Sequence, residues 1–132
     1  MRVTVIDYKA GNLTSVLKAL RHLGAEVDVT DGDLSLVQSA ERLVLPGVGH
    51  FSATERLDNT GLTSAVRSAI ARGVPFLGIC VGMQWLYTGS TEPTEQPGLG
   101  YCAESAGGFS STTNSMPPRS TANLLTCDAP PA

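Results

Sequence analysis

Along the first hundred residues, short runs of β-branched and aliphatic residues alternate with stretches in which leucine, valine and alanine recur every three or four positions. "RVTVI", residues 2–6, predicts a strand that stops at Asp7. Beyond it, Asn12 is placed to cap a helix in which Leu13, Val16, Leu17, Leu20 and Leu23 share a side, and Gly24 is the expected stop. "AEVDVT" predicts a second strand, "DLSLVQSA" a short helix, and "ERLVLP" a third strand that delivers the chain into "PGVGHF". Helical spacing returns through "SATERL" and "LTSAVRSAIARG", where Leu62, Val66, Ala69 and Ile70 share a face and Gly73 closes the element. "VPFLGI" predicts a fourth strand, and "CVGMQWLY" a helix that begins at Cys80.

Strands alternating with helices at these intervals predict an α/β domain, a doubly wound and mostly parallel sheet with helices on both faces. In such folds the functional edge lies at the carboxyl ends of the strands. "DYKAGN", "PGVGHF" and "GICVG" all fall at such ends, so three segments distant in sequence are expected to converge. After about Gly100 the chain turns rich in Ser, Thr, Pro and Ala, with almost no charge and neither periodicity. Residues 1–100 are therefore expected to form the folded domain, and residues 101–132 a disordered tail.

Composition narrows the function by exclusion. Nine Lys and Arg against twelve Asp and Glu give a net charge of −3, which leaves no electrostatic footprint for nucleic acid or an anionic membrane. Cys80, Cys102 and Cys127 are odd in number and widely spaced, so neither a disulfide framework nor a metal site is expected, and no cofactor motif stands out. Nothing at the N-terminus reads as a signal peptide and no stretch reaches the length of a membrane span, so a reducing cytoplasm is expected.

Gly78-Ile79-Cys80-Val81-Gly82 has the Gly-x-nucleophile-x-Gly form of an elbow, in which a strained strand-to-helix turn lifts the nucleophile clear of the sheet. A thiol at the start of a helix meets unpaired backbone N–H groups that favour thiolate, and the Val81 N–H is placed toward an oxyanion beside Cys80. Gly47 and Gly49 let "PGVGHF" turn further N–H groups to the same site. Read without the elbow, that segment is a plain turn, and an isolated cysteine is more often a small buried residue than a nucleophile.

Four stretches, "DYKAGNLTSVLKAL", "LVLPGVGHF", "GVPFLGICVGMQWLY" and "EPTEQPGLG", together resemble the glutamine amidotransferase subunit of imidazole glycerol phosphate synthase, a class I amidotransferase of histidine biosynthesis. The elbow is shared by other class I amidotransferases, whereas "DYKAGN" and "PGVG" point to this branch. The resemblance implies glutamine hydrolysis through an acyl-enzyme on Cys80, with the oxyanion held by backbone at Val81 and at Gly47, Val48 and Gly49, and glutamine positioned by Gln84. It also implies a heterodimer in which ammonia passes to a (β/α)8-barrel cyclase subunit. No cofactor or metal is implied.

The resemblance covers residues 1–100 and then stops. The family continues with further strands that carry a catalytic His, a Glu and a "PH.GW" segment, none of which appears after Gly100 here, so the sheet is expected to be incomplete at its C-terminal side. Both histidines, His22 and His50, precede Cys80. His22 falls on the polar side of the first helix; His50 adjoins the presumed oxyanion strand, in a position ordinary for a loop. The nucleophile is present and its base is not. A truncation or a shift of reading frame near Gly100 is expected to underlie both the composition change and the missing elements, and the chain is expected to be inactive. The competing readings are a noncatalytic docking module for the cyclase and a flavodoxin-like small-molecule binder.

Overall fold

In the computed structural model, which describes residues 1–9, 12–48, 50–87 and 97–100, the predicted strands form one parallel sheet. Strand β1 is Arg2–Ile6, β2 Glu26–Thr30, β3 Leu43–Gly47 and β4 Phe76–Cys80, in the spatial order β2-β1-β3-β4. The chain moves outward from β1 to β2, then returns across β1 to β3. The direction of winding therefore reverses between β1 and β3, and a crevice opens at their carboxyl ends.

Side chains on the strands alternate between two cores. Val3, Val5 and Val44 pack beneath helix α1, Leu13–His22, which contributes Leu13, Val16, Leu17 and Leu20. Ile6, Leu43 and Leu45 face the other way, onto α2 (Leu34–Gln38), a 3-10 turn at Phe51–Thr54, α3 (Glu55–Asn59) and α4 (Leu62–Ala71). That second core is the larger and includes the fully buried Phe51, Leu57, Leu62, Val66 and Trp85. Its helices cover one face while α1 covers the other, as the doubly wound reading requires.

Local signals act where the sequence places them. The Asn12 side chain accepts a hydrogen bond from the Ser15 N–H at 3.4 Å, and Gly24 follows α1 in the left-handed region at φ +82°. Asp33 caps α2, accepting from the Ser35 N–H at 2.9 Å. Leu23, expected on the apolar side of α1, is instead 72% exposed, because the helix ends at His22 and the chain turns away.

The last helix departs from expectation. Helix α5 is a single turn, Val81–Gln84, rather than a helix running through Tyr87. The chain tightens there into i→i−3 bonds, the Leu86 N–H donating to the Met83 carbonyl at 3.0 Å and the Tyr87 N–H to that of Gln84 at 3.1 Å, and residues 97–100 pair with the freed end: the Leu99 N–H donates to the Trp85 carbonyl at 2.6 Å and the Gly100 N–H to that of Tyr87 at 3.0 Å. Arg67 on α4 holds the same segment by donating to the Leu99 carbonyl at 2.7 Å, and Leu99 is buried. Trp85 then turns back onto β4, its ring 6.3 Å from that of Phe76.

The expected tail, residues 101–132, lies outside the described residues, as do Cys102 and Cys127. Among the described residues no helix is long and apolar enough to cross a membrane.

Candidate active site

Cys80 closes β4 and is exposed, at φ 55° and ψ −115°. Among the described residues, only it and Lys9 combine a side chain with positive φ, and both stand at the carboxyl edge of the sheet. A residue with a Cβ adopts such a conformation only where its surroundings impose it. Those surroundings are built from glycines. A Cβ on Gly78 would lie 2.5 Å from the Gly82 carbonyl oxygen, and one on Gly82 would overlap the Leu45 carbonyl oxygen on β3. Glycine at both positions lets the first turn of α5 sit directly against β3 and β4, and that seating swings Cys80 out of the sheet.

Strand pairing brings the second expected segment alongside. In the β3–β4 register Gly47 is the partner of Cys80, so the end of β3 lies beside Cys80 one strand spacing away. Gly47 is buried and Val48 is 52% exposed; Gly49 lies outside the described residues. Val81 opens α5 and is buried. Gln84, one helical turn beyond Cys80, is half-buried, and its Oε1 is shielded from solvent without a hydrogen-bond partner.

The structure adds a residue that the sequence reading did not single out. Tyr8, from "DYKAGN", is buried, and its hydroxyl occupies the space that a Cβ on Gly47 would need. Burial, with the charge of Cys80 second, pushes the Tyr8 phenol up to about 12. Next to it Asp7 feels opposing influences: burial would raise its carboxyl, but hydrogen bonds from the Lys9 side chain and backbone, with the charges of Lys9 and Arg56, hold it below the usual carboxylate value. The Lys9 ammonium lies 2.9 Å from Asp7 and 3.5 Å from Asp31. This charged cluster lines an open cavity of about 210 Å³ beside Tyr8.

His50 has a structural task. Its Nδ1 accepts from the Ser52 N–H at 3.2 Å and lies 2.8 Å from the Ser52 hydroxyl, capping the 3-10 turn. His22 is exposed in the last turn of α1, as expected for the polar side of that helix.

A profile of the family described as Glutamine amidotransferase class-I matches residues 4–120. The chain belongs to that family. As a class I glutamine amidotransferase it is similar to the imidazole glycerol phosphate synthase subunit HisH of Salinibacter ruber, 46% identical over 115 residues that make up 86% of this chain and 52% of that protein. The subunit of the same name from Methanopyrus kandleri is 48% identical over 101 residues, 76% of this chain and 50% of the relative. A crystal structure described as a glutamine amidotransferase superposes with a TM-score of 0.64 at 25% identity, covering 74% of this chain and 51% of the other. This class I amidotransferase chain thus spans about half the length of the relatives it matches. Within that span lie the elbow and the strand beside it.

Proposed function

We propose that this chain carries the nucleophile half of the glutamine amidotransferase subunit of imidazole glycerol phosphate synthase. The observation that carries the reading is the positive-φ Cys80, held out between Gly78 and Gly82 and in register with Gly47. The Cys80 thiolate attacks the side-chain carboxamide carbon of glutamine, forming a C–S bond and a tetrahedral oxyanion. The C–N bond then breaks, the nitrogen leaves as ammonia once protonated, and water cleaves the thioester to glutamate. Backbone N–H groups at Val81 and along Gly47, Val48 and Gly49 are assigned to the oxyanion, and the Gln84 side chain to the carboxamide. The ammonia is destined for a (β/α)8-barrel cyclase subunit, which binds this chain as a partner.

The same reading makes the 132-residue chain inactive in turnover. Its two histidines precede Cys80, and His50 caps a turn, so no base is assigned to take up and return the proton that the departing nitrogen requires. Loss of a triad histidine lowers turnover on the order of 10⁴–10⁶-fold. We therefore expect an electrophilic glutamine analogue to label Cys80 faster than Cys102 or Cys127, read by peptide mass mapping, with no steady-state release of glutamate. Equal labelling of the three thiols would remove Cys80 from the role. Glutamate release abolished in both Cys80→Ser and His50→Ala would overturn the inactivity and make His50 the base. Co-purification with the cyclase subunit tests the partner independently of chemistry.

A further inference from the structure

Tyr8 is 3% exposed, and its hydroxyl is buried with no hydrogen-bond partner in the described structure. A buried hydroxyl with no protein partner is uncommon unless the group has a use. Its position is well defined. The oxygen fills the space beside the Gly47 Cα where a side chain would stand, and Gly47 is the register partner of Cys80. A Cβ in that space would also lie 3.1 Å from the Gly82 backbone nitrogen, so the hydroxyl sits where the end of β3 and the first turn of α5 meet.

We infer that Tyr8 is a positioning residue for Cys80, its hydroxyl held under the elbow as an uncommitted O–H dipole that supports the anionic form of the cysteine. The inference rests on the proposed role of Cys80 as nucleophile. Phenylalanine would supply the same ring to the core but leave the space beside Gly47 unfilled, so the reactivity of Cys80, and not stability, separates a positioning role from space-filling. The electrostatics agree with the geometry. Burial and the neighbouring charge of Cys80 keep the phenol protonated up to about pH 12, so Tyr8 offers a donor at every working pH and never competes as a base.

The test is Tyr8→Phe in the full chain, with alkylation by iodoacetamide followed at each cysteine by peptide mapping across pH. Cys80 should react about fivefold more slowly at neutral pH in the variant, with its profile moved to higher pH, while Cys102 and Cys127 react as before. An unchanged Cys80 profile in a folded variant would reduce Tyr8 to a space-filler and overturn the inference. Should the variant fail to fold, carbon-13 labelling of the tyrosines in the unsubstituted chain serves instead. The Tyr8 ring-carbon resonance should then shift with the midpoint of Cys80 alkylation, and a flat resonance through that range overturns the inference equally. Iodoacetamide needs no glutamine site, so the two readings fail separately. An analogue that does not label Cys80 retires the proposed function, whereas normal labelling with an unmoved Tyr8→Phe profile retires only the role of Tyr8.

Discussion

Cys80 occupies a backbone conformation, φ 55° and ψ −115°, that glycine would adopt with far less strain. Strain of this kind is on the order of 1–3 kcal/mol for a residue with a Cβ, and it is tolerated here because the packing around Gly78 and Gly82 leaves the chain no other course. Cys80→Gly should therefore stabilise the fold by about 1 kcal/mol while removing the thiol of the proposed nucleophile. Chemical denaturation of the variant beside Cys80→Ser checks this. A glycine variant no more stable than the serine one would mean that the conformation carries no strain.

At the scale of elements, the site is a junction where the ends of β1, β3 and β4 and the first turn of α5 approach more closely than side chains allow. Gly47 shows how tight the fit is, since an added Cβ would meet the Tyr8 hydroxyl first, then the Tyr8 ring and the Gly82 nitrogen at 3.1 Å. Gly47→Ala should cost about 1–3 kcal/mol by overpacking. Made in a Tyr8→Phe background the same substitution should cost less, with a coupling of about 1 kcal/mol, because the nearest obstacle has been removed. Additive costs in the double-mutant cycle would place the Tyr8 hydroxyl away from Gly47. Seen from the sequence, "DYKAGN" lies at the correct strand end, yet nothing local to it says that its tyrosine reaches under a strand distant in sequence.

For the whole molecule, the ionisable groups of this edge set how stability responds to pH. The Asp7 carboxyl is held below 3.8, so its contribution is complete above that value and is lost as pH falls through the lowered folded value. Lys9→Met should flatten the acid limb of the stability curve, since it removes the side-chain hydrogen bond and charge of Lys9 and leaves only the Lys9 backbone hydrogen bond and the charge of Arg56 against burial. Tyr8 acts at the other end. Its folded value near 12 lies above the unfolded value of 10.0, so the folded state keeps a proton that the unfolded state has released. Stability should decline as pH rises from 10.0 toward 12, and Tyr8→Phe should remove that share of the decline. Denaturant midpoints measured across pH for the two variants decide both signs. An acid limb as steep in Lys9→Met as in the unsubstituted chain would contradict the Asp7 assignment.

The order of strands and helices, the cap at Asn12 and the glycine spacing around Cys80 were all legible in the sequence, because each is written in a period of two or 3.6 residues or in the chemistry of one turn. Tertiary structure decided the rest. The order β2-β1-β3-β4 and the pairing of Gly47 with Cys80 join segments more than twenty residues apart, and no local pattern encodes which strands become neighbours. Helix α5 stops after one turn where the Leu86 and Tyr87 N–H groups bond to carbonyls three residues back and residues 97–100 pair with the end so freed, an arrangement invisible in "CVGMQWLY" alone. Tyr8 became part of the site only when β3 closed over its hydroxyl, since burial and the charge of a distant cysteine belong to the assembled sheet and not to any stretch of chain.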